Sequence, residues 1–175
     1  PLRLGLLVCD QAIWQNQIDF LATDYDMGVP VFGGFNSFRA MAAHVLEDAP
    51  PRFSVAGHSM GARVALELMD LAGERVDKLA LLNFGTHPVS PEEPARRQAL
   101  VELAEREGLD AVIEKLIPQM FAPPSRQKPA VANEFRAMAR RNSLTDFKGQ
   151  IVAALNRGDH RSILTRIGIP VLLVC

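Results

Sequence analysis

The feature that most constrains this chain is the run Gly57-His58-Ser59-Met60-Gly61, which fits the pattern Gly-x-Ser-x-Gly. An apolar, strand-like run precedes it and a helical pattern follows it. A serine between two glycines can occupy a very sharp strand-to-helix turn, because a Cβ at either flanking position would collide with neighbouring backbone. Such a turn pushes the hydroxyl out of the sheet, and the following helix directs its first N–H groups to the same place. The run therefore predicts a nucleophilic serine at position 59.

The rest of the first half alternates short apolar runs with helical patterns. Strands are expected at residues 2–8, 29–32, 53–57 and 79–82, with helices between them. Asn36 or Ser37 is expected to cap the second helix, and Gly73 to end the third. Strands that alternate with helices predict an α/β fold with a parallel sheet flanked by helices.

The pattern changes after Pro88. The run Ser90-Pro91-Glu92-Glu93 predicts a helix start, with Ser90 as the capping residue and Glu93 closing a capping box. Only helices are expected from there to about Arg157, and a last strand at residues 169–174. The expected interruptions are Gly108, Pro118, Pro123-Pro124 and residues 141–143. This predicts an α/β core at residues 1–88, an all-helical cap at residues 89–157 inserted before the last strand, and a return to the core at residues 158–175.

Composition excludes several classes of function. The formal net charge is -1 and no basic stripe with interleaved aromatics occurs, so nucleic acid is not an expected partner. No apolar run approaches the roughly 18 residues of a membrane helix. The two cysteines, Cys9 and Cys175, form no disulfide framework or metal-ligand spacing, which favours a cytoplasmic protein. The chain lacks a starting methionine and both ends are strand-like, so we expect a fragment.

Several segments resemble the α/β-hydrolase fold superfamily of serine esterases. One of them is similar to the nucleophile elbow of that superfamily, namely Val55-Ala56-Gly57-His58-Ser59-Met60-Gly61-Ala62-Arg63-Val64-Ala65. The others are residues 79–83, residues 167–174, and Gly5-Leu6-Leu7 with Cys9-Asp10 and Trp14. The resemblance implies Ser59 as nucleophile and the backbone N–H groups of Met60 and Leu6 as the oxyanion hole. Two departures occur near Leu6. Leu4-Gly5 replaces the usual His-Gly or Pro-Gly, and Val8 is an extra residue.

The resemblance also implies a catalytic acid and a histidine later in the chain than the serine. In the family the acid follows the strand that here ends at Cys175, and the histidine follows one strand later, so neither position exists in this sequence. Asn83 stands where some relatives carry an alternative acid, and an amide cannot serve that way. Asp159 is expected to cap the turn after Gly158.

Four histidines could substitute for the missing base. His44 is expected on a helix, partly exposed, and His58 is interpreted as structural. His160 is expected before the last strand, at the end of the sheet away from the site. His87 follows the fourth strand at the carboxyl edge, where ligands bind, and is the best internal candidate. A plain loop histidine remains the favoured interpretation of His87.

Other conspicuous side chains have plain structural interpretations. Trp14 is expected to be a core or pocket-wall residue. Four arginines are expected on solvated helix faces, namely Arg96, Arg97, Arg140 and Arg141. Three apolar residues either line a pocket under the cap or hold the cap helices together, namely Met120, Phe121 and Met138.

These expectations combine into a carboxylesterase-like serine hydrolase that cleaves a small carboxylic ester or thioester through an acyl-enzyme on Ser59. No cofactor or metal is required. Relatives with an aspartate nucleophile are disfavoured because the elbow residue is serine. The alternative is a non-catalytic ligand-binding protein on the same fold, since the usual acid and base are absent from this sequence. The sequence leaves the particular substrate and the oligomeric state open.

Overall fold

The sheet contains three parallel strands in a computed structural model that describes residues 10–126 and 128–175. The strands are β1 (Phe53–His58), β2 (Val76–Leu82) and β3 (Val171–Val174), in the order β1-β2-β3. Val55 pairs with Leu79 and Leu79 with Val171, so the carboxyl ends of all three strands lie at one edge. The parallel α/β sheet that the sequence predicts is confirmed, and the strand expected at residues 2–8 lies outside the described residues.

Strand boundaries differ modestly from the expected ones. β1 is one residue longer than expected, β2 begins three residues earlier, and β3 begins two residues later. The strand expected at residues 29–32 is absent from the described structure, so that prediction is wrong. Pro30 has no N–H to give to a ladder, and the Gly33-Gly34 turn follows at once. Phe32 is nevertheless buried in the core.

Helices cover the sheet and fill the segment between β2 and β3. In the described residues they are α1 (Gln15–Leu21), α2 (Phe38–Glu47), α3 (Met60–Ala72), α4 (Glu93–Glu107), α5 (Leu109–Met120), α6 (Pro123–Arg126), α7 (Pro129–Ala139), α8 (Leu144–Leu155) and α9 (Arg161–Leu164). A 3-10 turn, Gln11–Trp14, precedes α1. No helix in the described ranges is long and apolar enough to cross a membrane.

The observed helix ends agree with some of the predicted caps and differ from others. Ser37, rather than Asn36, caps α2 by accepting a hydrogen bond from the Ala40 N–H at 3.2 Å. Gly73 follows α3 as expected, but with a right-handed φ of -58°, and a short 3-10 turn continues from it. Ser143 caps α8 through a capping box with Asp146. The interruption around residues 141–143 is therefore a genuine helix boundary.

Ser90 does not start a helix, which corrects the sequence-based prediction. Its carbonyl accepts a turn hydrogen bond from the Glu93 N–H at 3.1 Å, and α4 begins only at Glu93. The Glu93 carboxylate binds two arginines instead of returning to the main chain, because charged donors bind a carboxylate more strongly than a neutral amide does. Pro118 is also not an interruption. It lies inside α5, which ends two residues later.

The described residues form two large hydrophobic cores and a small third cluster around Trp14 and Ala56. The first packs α2 and α3 against β1 and β2, with Phe53 and Leu66 among its fully buried side chains. The second joins α4, α5, α7 and α8 around Phe147 and Ile151. Helix α8 also contributes Ala153 and Ala154 to the first core, so it belongs to both. The side chains of β3 are 41–63% exposed.

Candidate active site

Ser59 occupies the turn between β1 and α3 in a backbone conformation that non-glycine residues seldom adopt. Its φ is 52° and its ψ is -110°. Its main-chain N–H donates a hydrogen bond to the Leu82 carbonyl at 2.9 Å, which fixes the turn to the neighbouring strand. A residue held at positive φ costs on the order of 1–3 kcal/mol, which the surrounding structure has to supply. Strand, strained serine and helix therefore have the geometry that the sequence pattern predicts.

Gly57 makes this turn possible because the chain passes almost in contact with itself there. A Cβ at position 57 would lie 2.3 Å from the carbonyl oxygen of Gly61 and 2.5 Å from the nitrogen of Ala62. Both neighbours are backbone atoms in the first turn of α3, so no side-chain movement can relieve the contact. The first glycine of the motif is therefore required by the packing of β1 against α3.

Met60 is the first residue of α3, and its side chain is buried. The N–H groups of a first helical turn have no acceptor within the helix, and they carry the positive end of the helix dipole. The Met60 N–H therefore belongs to the free first turn of α3, directly after Ser59. Leu6, the second predicted donor, lies outside the described residues.

Ser59 lines a cavity of about 350 Å³ at the carboxyl edge of the sheet. The loop after β2 supplies Asn83 and His87, and α3 supplies Arg63. The segment from α4 to the end of α8 closes the other side. Its lining residues are Glu93, Arg96, Arg97, Ala154 and Arg157. The cavity is therefore polar and rich in arginine.

Glu93 holds two of these arginines in place. Its Oε1 accepts from Nη1 of Arg157 and from Nε of Arg97, each at 2.7 Å. The side chains of Glu93 and Arg157 are 6% and 4% exposed. Hydrogen bonds from Arg157, and then from Arg97, lower the pKa of Glu93 to about 2. This carboxylate is therefore ionised across the physiological range.

His87 is the one histidine among the described residues that lines the same cavity as Ser59. Its side chain is exposed, and its carbonyl accepts hydrogen bonds from Arg63 at 3.2 Å and from Arg157 at 3.4 Å. In the part of the chain that the structure describes, no hydrogen bond joins the Ser59 hydroxyl to a histidine. The structure thus places His87 near the nucleophile without pairing the two.

His160 lies elsewhere than expected. Its main-chain N–H donates to the Thr86 carbonyl in the loop after β2, at 3.2 Å, so it is close to the carboxyl edge rather than at the opposite end of the sheet. Its ring is buried, and Nε2 lies 2.8 Å from Oε1 of Glu67 on α3. The prediction failed because the turn before α9 folds back along α3 before the chain enters β3.

The other two histidines have the structural positions predicted for them. His44 is partly exposed on α2, where Nδ1 lies 3.0 Å from Glu47 and the ring contacts Phe35. His58 ends β1 with its Nδ1 buried and without a hydrogen-bond partner among the described residues. Burial lowers the pKa of His58, so its ring is neutral at pH 7.

A second, larger cavity of about 790 Å³ lies on the other side of the elbow. Its walls include Trp14 and His58 near the sheet, and its helical side is largely apolar. That side includes Met120, Phe121, Phe135 and Met138. Phe121 and Phe135 also pack edge to face at 5.4 Å, and Met138 belongs to the second core, so these residues both line a pocket and hold the helices together.

The remaining predicted residues are structural in their contacts. Asn83 adopts a positive φ of 47° at the end of β2, and its N–H donates to the Val174 carbonyl at 2.7 Å. Asp159 accepts a hydrogen bond from the Arg161 N–H at 3.0 Å, which confirms it as a turn cap. Arg140 pairs with Asp110, and Arg141 with Asp10, both as half-exposed ion pairs.

Three cavity residues were not identified from sequence, namely Arg63, Glu93 and Arg157. A signal for Arg63 existed, since it lies four residues after Ser59, on a helix whose residues from Met60 to Leu66 are otherwise uncharged. Residues four apart on a helix share a face. Glu93 and Arg157 are 64 residues apart, and no local pattern connects them. Within the described residues, no group of three His, Cys, Asp or Glu side chains could hold a metal ion.

Both the sequence and the fold of this chain are similar to those of known proteins. No model of a known protein family matches the chain. The chain is 29% identical over 187 residues to a protein of Rhizobium rhizogenes (strain K84) named "Putative carbamate hydrolase RutD". That alignment covers 92% of this chain and 67% of the relative.

Solved structures are similar over nearly the whole chain. A thermophilic esterase from Thermogutta terrifontis, with malate bound, has a TM-score of 0.84 at 24% identity, over 99% of this chain and 69% of its own. A hydrolase from Pseudomonas aeruginosa has a TM-score of 0.80 at 24% identity, over 98% and 69% of the two chains. An enol-lactonase from Burkholderia xenovorans LB400 has a TM-score of 0.81 at 21% identity, over 98% and 70%.

The neighbours define the class of fold. They are α/β-hydrolase-fold proteins, and this chain therefore has the α/β-hydrolase fold. It spans about two thirds of the length of these relatives.

Proposed function

We propose that this chain is the core of a serine hydrolase that cleaves a small carboxylic ester or thioester through an acyl-enzyme on Ser59. The observation that carries the proposal is the Ser59 backbone, held at φ 52° between β1 and α3 by a glycine that admits no Cβ. Such strain persists where function requires it, and here it turns the serine into a cavity. The named neighbours hydrolyse esters, an enol-lactone or a carbamate, which are all acyl compounds with a heteroatom leaving group.

The reaction proceeds in two balanced steps. The Ser59 oxygen bonds to the acyl carbon, its proton passes to a base, and the bond to the alcohol or thiol breaks as that group leaves with a proton. Water then bonds to the acyl carbon, the bond from that carbon to the Ser59 oxygen breaks, the carboxylic acid leaves, and a proton from the water passes through the base to the Ser59 oxygen. The Met60 N–H, and Leu6 as the second proposed donor, stabilise the oxyanion in both steps. In the family order the acid and then the histidine come after the serine, beyond the strand that corresponds to β3.

We also propose that residues 89–157 act as a cap over the α/β core of residues 1–88, with residues 158–175 returning to the core. The separate hydrophobic core of α4, α5, α7 and α8 supports this division. A cytoplasmic location remains a prediction from cysteine content.

Covalent labelling tests the nucleophile. A fluorophosphonate probe is expected to label the complete protein at Ser59, as located by peptide mass spectrometry, and Ser59→Ala is expected to abolish labelling. Ser54→Ala, in the same strand but outside the cavity, is the matched control and should label normally. Equal labelling of the Ser59→Ala protein would reject the assignment. Binding of an ester without labelling or turnover would favour the alternative, a non-catalytic ligand-binding protein. The structure supports that alternative to the extent that none of the described histidines is hydrogen-bonded to Ser59.

A further inference from the structure

The cavity that contains Ser59 carries an unbalanced positive charge. Four guanidinium groups line it, those of Arg63, Arg96, Arg97 and Arg157, and Glu93 is the single carboxylate in the lining. Arg97 and Arg157 are both bonded to Glu93. Arg63 and Arg96 therefore remain without a carboxylate partner among the lining residues.

Arg63 is the most unusual of the four because it is almost completely buried. The residue is 8% exposed. Its Nη2 donates one hydrogen bond, to the carbonyl of His87 at 3.2 Å, and its Nη1 is buried with no partner among the described residues. Burying a cation without an anion is costly, and leaving one of its donors unpaired adds to that cost. The site is therefore incomplete as it stands.

The surroundings of Arg63 disfavour its own charge and would favour an added negative one. Burial, followed by repulsion from Arg157, lowers the pKa of Arg63 to about 10, and Glu93 only partly offsets this. Even at that value the guanidinium is protonated at neutral pH. An anion placed in the cavity between Arg63 and the rim residue Arg96 would offset the burial of the Arg63 charge and its repulsion from Arg157.

The positive charge lies in the same cavity as Ser59. Ser59 immediately precedes α3 and Arg63 lies in its first turn, and both residues line the same cavity. A small molecule with its carbonyl at Ser59 can thus carry an anionic group to Arg63 within a cavity of about 350 Å³. A guanidinium with a free N–H edge is suited to the planar oxygens of a carboxylate.

We propose that Arg63, assisted by Arg96, binds a carboxylate group of the substrate, so that the Ser59 site prefers esters or thioesters that bear a free carboxylate. This inference rests on the proposed function for its reaction, but the anion site itself is testable without catalysis.

The kinetic test compares two substrates that differ only in charge, mono-4-nitrophenyl adipate and its methyl ester. In the complete protein kcat/KM is expected to be roughly 10- to 100-fold higher for the carboxylate, the range of a hydrogen bond to a charged group. Arg63→Met is expected to bring the ratio of kcat/KM between the two substrates close to one, and Arg63→Lys to restore part of the preference. Arg106→Met, an exposed arginine paired with Glu107, is the control and should change neither value.

Binding separates failure of the inference from failure of the proposed function. Calorimetric titration of adipate into Ser59→Ala is expected to show binding that is lost in Ser59→Ala/Arg63→Met and weakened in Ser59→Ala/Arg96→Gln. The exposed Arg96 variant keeps the test valid if the Arg63 variant does not fold. Turnover of both substrates at equal rates would overturn the inference and leave the hydrolase proposal intact. Arg63-dependent binding of adipate without any turnover would support the anion site and overturn the proposed reaction.

Discussion

Glu93 and Arg157 form a buried ion pair across 64 residues, with Oε1 and Nη1 2.7 Å apart and a second hydrogen bond between Oε2 and Nη2. Glu93 begins α4, whereas Arg157 follows α8. The pair therefore ties together the two ends of the helical segment beside Ser59. Arg157 also donates to the Ala154 carbonyl at 2.8 Å, which anchors it to the end of α8.

Removing the Glu93 charge is expected to destabilise the protein. Glu93→Gln would leave Arg157 and Arg97 buried without their carboxylate, and we expect the free energy of unfolding to fall by about 3 kcal/mol. Urea denaturation at pH 7 measures this, with Glu107→Gln in an exposed pair as the control. The pH dependence has a definite sign. Because the folded pKa is about 2 and the ordinary value is 4.5, this stabilisation is complete above pH 4.5 and is lost as the pH falls towards 2. A Glu93→Gln protein that unfolds at the wild-type urea concentration would contradict the assignment.

Gly57→Ala is expected to disrupt the elbow. The added methyl carbon would have to displace the backbone of Gly61 and Ala62, and we expect a loss of several kcal/mol, above the roughly 1–3 kcal/mol typical of overpacking. Gly168→Ala, where a Cβ meets nothing within 4 Å, is the matched control and should unfold within about 1 kcal/mol of wild type. Thermal unfolding followed by circular dichroism distinguishes the two. Equal melting temperatures would show that the turn tolerates a side chain.

His58 is expected to make stability depend on pH near neutrality. Burial lowers the pKa of His58 in the folded protein below its ordinary value of 6.5. At a pH between the folded pKa and 6.5, His58 is therefore protonated in the unfolded chain and neutral in the folded one. Stability should therefore fall as the pH drops below about 6.5. His58→Leu is expected to reduce this loss between pH 7.5 and 5.5. Identical pH profiles for wild type and His58→Leu would refute the role given to burial.

The capping box of α8 is also expected to contribute measurably to the free energy of unfolding. Ser143→Ala removes the acceptor for the Asp146 N–H and should cost about 1 kcal/mol. Asp146→Ala should cost more, because Asp146 also accepts from the Gly34 N–H at 2.9 Å and so joins α8 to the Gly33-Gly34 turn. Denaturant titration of both variants and of the double variant measures the coupling. Additive effects would mean that the two residues do not act as one cap.

Local patterns predicted the local features of this fold well. Glycine spacing identified the turn at Ser59, and periodicity identified α2, α3, β1 and β2, because each depends on residues within one or two turns of one another. Predictions failed where a distant partner decided the outcome. Glu93 was expected to close a capping box, but its carboxylate is bound by Arg157, and His160 was misplaced because its position depends on Glu67 and Thr86.

In the site, too, the features set by a local motif could be predicted and those set by distant residues could not. Ser59 and Met60 could be identified because they lie within one motif, whereas the arginine-rich cavity is assembled from α3, the loop after β2 and both ends of the helical segment. Arg97 was expected on a solvated helix face and instead lies 2.7 Å from Glu93 inside the cavity. The charge that faces the nucleophile is therefore a property of the fold rather than of any single segment.

Helix α8 restricts how a substrate can reach Ser59. Phe147 and Ile151 are packed with the helical core, whereas Ala153 and Ala154, one turn later, are packed with the sheet. Swinging the whole helical segment outward as one body would have to pull one of these close-packed interfaces apart. The end of α8 is therefore fixed on the sheet, and the ion pair between Glu93 and Arg157 keeps the start of α4 beside it, so a substrate reaches Ser59 past a wall that is tied to the sheet.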